Sequence, residues 1–287
     1  EGKVPMLVSR AYELPSWVDG DTLVIGFSYS GTTEETLAAF AEAKKRGAML
    51  AAVSTGARLE ELAKSYHAPF ARIGGEKMMP RAALPRAFGT AAMLLDSLGL
   101  LKAEAALKET VRTLREGVND LAPGVAADKN EAKRTALALQ DTVSMTYAAG
   151  LLAPAARRFA NQLSENSKVL ASWGVMPEMN HNEIVGWAGD DELDRFTAVF
   201  LRHAQEHAQA KARFDFTGHL IQKRGGQVIQ MEGRGASPAA SLLTVSLLGD
   251  AVSVYLAALR KMDPTPVKII GDLKAKMGET GFAAGIR

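Results

Sequence analysis

Thr22-Leu-Val-Ile-Gly-Phe27 runs directly into Ser28-Tyr-Ser-Gly-Thr-Thr33, and from there into Glu34-Glu-Thr-Leu-Ala-Ala-Phe40. An apolar run this short, bounded by Asp19-Gly20-Asp21 on one side and a Ser/Gly-rich turn on the other, reads as a strand of a buried parallel sheet. Thr33 to Lys45 reads as the following helix, with Leu37, Phe40 and Ala41 on one face. A turn at the carboxyl end of a parallel strand that opens a helix collects unpaired backbone N–H groups and the positive end of the helix dipole. Such a corner holds an anion without any Lys or Arg. Ser28, Ser30, Thr32 and Thr33 add hydroxyl donors, and Gly31 allows the backbone to approach an anion closely. An ordinary helix cap fits the same residues, with Thr32 or Thr33 capping and Glu35 or Thr36 reaching back. The turn lacks the Lys and Gly spacing of a P-loop and the GxGxxG of dinucleotide sites, so a monophosphate suits it better than a nucleotide.

Outward from this corner the alternation continues. Met49 to Val53 is a second strand ending at Ser54-Thr55-Gly56, Leu59 to Ser65 a short helix and Pro69 to Ile73 a third strand. Strand and helix at this spacing predict βαβ units and a parallel sheet. Residues 85 to 140 read as helical, over Arg86 to Leu98, Ala103 to Asp120 and Lys129 to Leu139. Leu121 to Asp128 separates the last two and marks a domain boundary, giving domains 1–125 and 126–287. The second half alternates again. A strand lies in Asp141 to Ala148, a helix over Ala153 to Leu170, a strand over Phe196 to Leu201, a helix over His207 to Arg224 and a strand over Gln227 to Met231. A long apolar helix covers Ala239 to Lys261, and Asp263-Pro264-Thr265-Pro266 starts a last helix that runs to about Lys276, with proline in its first turn. The fold class is therefore α/β in two halves, each with a parallel sheet of few strands.

Bulk composition narrows the function. The 287 residues are 47% hydrophobic and 23% charged, the balance of a globular protein with a real core. A net charge of +2 without long single-sign runs gives no footprint for nucleic acid or an anionic membrane. The absence of cysteine removes disulfides, thiolate metal sites and a Cys nucleophile. No uninterrupted apolar stretch reaches the roughly 18 residues of a membrane span. The start carries no signal-peptide pattern, so a cytoplasmic location is expected. No His/Asp/Glu spacing has the form of a metal site, and His67, His203, His207 and His219 read as surface or structural.

Two polar stretches in the second half could carry chemistry. Glu165 lies late on a helix, within Ser164-Glu-Asn-Ser-Lys168, and fits either an exposed helix carboxylate or a general base. Glu178-Met-Asn-His-Asn-Glu183 places His181 in an irregular polar loop, which fits either a solvated loop or a site. Together, a carboxylate and a His suit proton transfer next to a carbonyl.

At these residues the chain resembles the bifunctional phosphoglucose/phosphomannose isomerases, a branch of the phosphoglucose isomerase superfamily built from two sugar isomerase (SIS) domains. The matching segments are LVIGFSYSGTTEETL (23–37), MPRAAL (79–84), SENSK (164–168), MPEMNHNEIVGW (176–187) and SLLGDAVSVYLAALRKMDPTPV (246–267). The resemblance implies two SIS-type three-layer α/β/α subdomains with mainly parallel sheets. It implies an isomerase that interconverts glucose 6-phosphate or mannose 6-phosphate with fructose 6-phosphate through a cis-enediol, without metal or other cofactor. By position, Glu165 would shuttle the proton between the first and second carbons. His181 would help open the ring of a neighbouring subunit's substrate, so that a homodimer shares its active sites. Ser28, Ser30 and Thr33 would bind phosphate, and Arg81, otherwise a surface charge, would stabilise the enediolate. A lysine near the C-terminus completes the family site. Lys274 is assigned here with Lys276 close by, and Thr265 would correspond to the threonine linked to mannose 6-phosphate acceptance. In that family a helix, a strand and a Gly-rich turn that also contacts the phosphate precede the segment corresponding to residue 1, so the first sheet is expected without that strand. A non-catalytic SIS module that senses a phosphosugar would keep the serine turn without needing Glu165 or His181. A SIS isomerase for another sugar phosphate would not be expected to carry EMNHNE or DPTPV.

Overall fold

The structure, a computed structural model, describes residues 2, 4–189, 192–282 and 285–286. The chain forms two compact units, Glu1–Glu104 with Val267–Arg287, and Ala105–Pro266.

The first unit holds a parallel sheet of β1 (Leu23–Ser28), β2 (Met49–Ser54) and β3 (Phe70–Arg72), in that order. Register pairs Leu23 with Met49 and Ser28 with Ser54, so β1 and β2 end side by side. The helices α1 (Glu34–Lys45) and α2 (Ala57–Ser65) pack against one face through Leu37, Phe40, Leu59 and Leu62. Ala51, Val53 and Ile73 meet Ala87 and Leu94 of α3 (Leu84–Ser97) on the other. The glycine inside β1 has a packing cause: a Cβ at Gly26 would stand 2.9 Å from the ring of Phe40. Truncating the fully buried Phe40 to Ala would cost about 3–5 kcal/mol.

The second unit begins with α4 (Glu104–Asp120, whose first residue belongs to the first unit) and α5 (Glu131–Ala138). Its parallel sheet runs β5-β4-β6-β7, from β4 (Val143–Ala149), β5 (Ala171–Met176), β6 (Phe196–His203) and β7 (Gln227–Gly233). The chain moves from β4 to one side for β5 and to the other for β6, so β4 is a point where strand order reverses. On one face, α5, α6 (Ala153–Ser167) and α9 (Pro238–Leu259) bury Leu152, Phe159, Leu163, Val245 and Val252. On the other, α7 (Glu183–Trp187) and α8 (Ala208–Lys223) close over Tyr147, Phe200, Phe214 and Ile221. α9 is long and apolar enough by composition to cross a membrane, but it is the central core helix of this unit. Last comes α10 (Lys268–Gly278), which belongs with the first unit and has no buried residue.

Three expectations need correction. The helix expected over Ala153 to Leu170 stops at Ser167, because Lys168 turns into the left-handed region at φ 57°. That frees Ala171–Met176 to form β5, which the sequence reading missed. β5 is an edge strand with Ser172 and Trp173 exposed and a glycine at 174, so it has no continuous apolar run to read. The last helix starts at Lys268, with Val267 flanking it, so Pro264 and Pro266 precede the helix rather than open it.

Candidate active site

The corner between β1 and α1 is built almost entirely from its own hydroxyls. The Ser28 and Thr33 hydroxyls share a hydrogen bond of 2.7 Å, and Ser28 Oγ also accepts the Gly31 N–H at 3.1 Å. Ser30 Oγ accepts both the N–H and the hydroxyl of Thr32, at 3.3 and 3.0 Å. Because Ser30 accepts in both contacts, its own proton is not used by either and can be offered outward. Thr33 flanks α1 with no side-chain cap bond, so the alternative reading of this turn as a capping box does not hold here.

The corner is also braced from behind. Thr55 donates from N–H and hydroxyl to the Tyr29 carbonyl at 3.0 and 2.9 Å, and the Leu59 N–H donates to the Gly31 carbonyl at 2.9 Å. Gly31 sits at φ +70°, and a Cβ there would lie 1.9 Å from the Gly56 carbonyl oxygen. Only glycine fits, and this close approach fixes the shape of the corner. The Tyr29 hydroxyl donates to the Met78 carbonyl at 3.3 Å and accepts the Met78 N–H at 3.4 Å. That pair of bonds ties the segment leading to Arg81 to the serine turn; Arg81 lies in a short 3₁₀ turn at Pro80–Ala83. The sequence reading gave Tyr29 and Thr55 no role. Tyr29 lay inside the quoted motif, but its partner is 49 residues away.

Glu165 lies in the last turn of α6 and is partly exposed. Its neighbours lock this turn onto α9. Asn166 Nδ2 donates to Ser253 Oγ at 2.9 Å, and Ser167 Oγ donates to the Ser253 carbonyl at 2.6 Å. About two turns earlier Arg158 makes a two-pronged pair with Asp250 at 3.0 and 2.6 Å, to which Gln162 adds a bond at 2.8 Å. Burial pushes the Asp250 carboxyl above its usual range, while the Arg158 guanidinium pulls the other way. Lys168 Nζ donates to the carbonyl of Glu165 and, at 3.3 Å, to the carbonyl of Pro264. The SENSK and DPTPV segments, 96 residues apart, therefore meet at one end of the unit. There the Thr265 N–H donates to Asp263 Oδ1 at 2.8 Å, and the amide and hydroxyl of Thr265 hold the Asp263 carboxyl below its usual range.

His181 is placed differently. It follows β5 in a 3₁₀ turn, Glu178–His181, and is exposed. The polar residues around it are mostly structural. Asn180 Nδ2 donates to Thr217 Oγ1 at 3.0 Å, Asn182 Oδ1 accepts the Glu183 N–H at 2.6 Å, and Glu183 accepts the Tyr147 hydroxyl at 2.9 Å. α6 runs back from the carboxyl edge of the sheet, so Glu165 lies at the amino edge where β5 begins and His181 at the edge where β5 ends. The six-residue strand between them is about 20 Å long. Within this unit the structure does not bring these two residues together.

Lys274 and Lys276 both lie on the exposed α10, where Lys276 pairs with Glu279 at 2.6 Å. Among the described residues no three of His, Asp and Glu gather as a metal site.

Against this geometry, comparisons with known proteins give a consistent result. Residues 128–277 match the family model of the bacterial phospho-glucose isomerase C-terminal SIS domain. The chain is 40% identical over 280 residues to a bifunctional phosphoglucose/phosphomannose isomerase of Caldicellulosiruptor bescii, covering 96% of this chain and 82% of that one. It is 33% identical to a protein of the same name from Aquifex aeolicus, over 95% of this chain and 81% of that one. Among solved structures, a glucose-6-phosphate isomerase like protein from Thermus thermophilus shares the fold, with a TM-score of 0.59 at 20% identity, covering 88% of this chain and 85% of that one. The SIS fold expected from the sequence is the fold observed, and the chain belongs to the bifunctional phosphoglucose/phosphomannose isomerase family.

Proposed function

We propose that this chain is an aldose–ketose isomerase that interconverts glucose 6-phosphate or mannose 6-phosphate with fructose 6-phosphate. The observation that carries the reading is the corner at Ser28–Thr33: hydroxyls, a glycine close approach and a helix start without a side-chain cap, in a chain of this family. In this reading Ser28, Ser30 and Thr33, with the first amides of α1, hold the phosphoryl group. The carboxylate of Glu165 takes the proton from one of the first two sugar carbons and returns it to the other. Arg81 offsets the charge of the enediolate formed between the two transfers. His181 assists ring opening, and Lys274 completes the polar wall; the pairing of Lys276 with Glu279 favours Lys274 for this role. No metal is required, because proton transfer and charge stabilisation are assigned to side chains.

The 20 Å length of β5 supports a shared site: a His181 that cannot serve its own unit's Glu165 can serve that of a second copy. We therefore assign a homodimer, acting in the cytoplasm, with SIS domains at 1–125 and 126–287 and Thr265 bearing on the choice of epimer.

The test is Glu165→Gln. Turnover of both sugar phosphates should fall by about a hundredfold or more, while fructose 6-phosphate binding persists. Near-normal turnover would reject Glu165 as the base. Mixing Glu165→Gln with His181→Ala protein should restore part of the activity through mixed dimers, and no recovery would reject the shared site.

A further inference from the structure

Lys168 sits where a helix ends, where it could be an ordinary cap. Its Nζ satisfies the Glu165 carbonyl, one of the four orphan carbonyls at the end of α6. Its positive charge also lies at the negative end of the helix dipole. A cap alone, however, accounts for only half of its contacts. The same ammonium reaches across to the Pro264 carbonyl at 3.3 Å, and its charge helps hold the Asp263 carboxylate ionised. Asp263, Thr265 and Pro266 of the segment it holds are exposed, and α10 beyond them has no buried residue. Another basic residue serves as a natural contrast. Arg260 Nε donates to the Ser167 carbonyl at 3.2 Å, so it caps the same helix end.

We infer that Lys168 is a positioning residue that clamps the turn carrying Glu165 to the Asp263–Pro266 segment, so that the base and Thr265 are held as one body. The inference rests on the isomerase reading above. Its consequence is a link between proton transfer and epimer choice. Loosening the clamp displaces Glu165 and Thr265 relative to one another without touching the phosphate corner, which lies on other elements. A displacement of this kind lowers turnover far more than it weakens substrate binding, because a misplacement of about 1 Å at a catalytic group costs up to a hundredfold in rate.

The experiment compares Lys168→Met, which keeps the apolar stem, with Lys168→Arg and Arg260→Met. In Lys168→Met, kcat should fall by about tenfold or more with KM within about threefold. The ratio of mannose 6-phosphate to glucose 6-phosphate turnover should also shift, and amide hydrogen exchange at Thr265 and Val267 should accelerate. Lys168→Arg should recover most of the turnover and the ratio. Arg260→Met should lower the melting temperature without moving the ratio. If Lys168→Met leaves kcat and the ratio unchanged, or if Arg260→Met reproduces all of its effects, Lys168 is a helix cap and the inference is overturned. Amide exchange at Thr265 and Val267 tests the clamp even if wild-type protein turns over neither sugar, a result that would instead sink the isomerase reading.

Discussion

Two strand-to-helix turns of the molecule, one after β1 and one after β6, are finished in opposite ways. After β1 the turn is Ser-Tyr-Ser-Gly-Thr-Thr, and α1 begins without a side-chain cap. After β6 the turn is Ala204-Gln-Glu-His207, and the protein fills the corner itself. His207 Nδ1 accepts the Gln209 N–H at 3.1 Å, capping α8. Arg202, nearly buried, binds Glu206 through Nε and Nη2 at 2.6–3.0 Å and lies 4.5 Å over the ring of Phe214. The second corner has already supplied both the anion and the cap that the first leaves open. A strand-to-helix turn can thus start its helix uncapped or be closed by its own side chains, and the residues in the turn decide which.

The largest effect that sharpens this contrast belongs to the strut. Arg202→Met should cost about 3–5 kcal/mol of stability, because it leaves the nearly buried Glu206 carboxylate unpaired. Fructose 6-phosphate affinity, measured on the protein that remains folded, should stay within about twofold. A matching loss of affinity would mean that the corners are not separate in function. Next is Gly31→Ala. Its Cβ would collide with the Gly56 carbonyl, and a φ of +70° is itself strained for alanine, so a loss of about 2–4 kcal/mol in stability is expected, with phosphosugar binding abolished. Chemical denaturation and calorimetric titration check the two halves of that statement. Removing one hydroxyl should be milder. Ser28→Ala, losing the bonds to Thr33 and to the Gly31 N–H, should weaken phosphosugar binding by about tenfold and cost about 1 kcal/mol of stability. A drop in melting temperature without loss of binding would turn the first corner into a second strut.

The smallest prediction concerns pH. Asp263 has its carboxyl held below the usual range, so its contribution is in place above the unfolded value of about 3.9 and disappears as pH falls through the lower folded value. Amide exchange at Thr265, corrected for its intrinsic pH dependence, should be flat from pH 8 to 5 and lose protection only in stronger acid.

How far the sequence reached follows the same physics. The β1–α1 corner was legible because the features that signal it are local, an apolar run, four hydroxyls and a glycine within twelve residues, whereas its bracing by Thr55, Gly56 and Met78 was not. Most strands and helices were legible for the same reason. β5 was not, since an edge strand need not bury both faces, and Ala-Ser-Trp-Gly-Val-Met shows neither an apolar run nor clean alternation. Glu165 and His181 were ambiguous as residues, one an exposed helix glutamate and the other a histidine in a polar loop; the family resemblance, not their chemistry, singled them out. The clamp at Lys168 was invisible because its second partner is 96 residues away. Such a contact leaves no periodicity behind.

The most direct test of the central claim is an amide-resolved NMR titration with fructose 6-phosphate. The account predicts saturable shifts at Ser30 to Glu35 and none at Ala204 to Gln209. Shifts at the second corner, or a silent first corner with the sugar phosphate bound elsewhere, would contradict it.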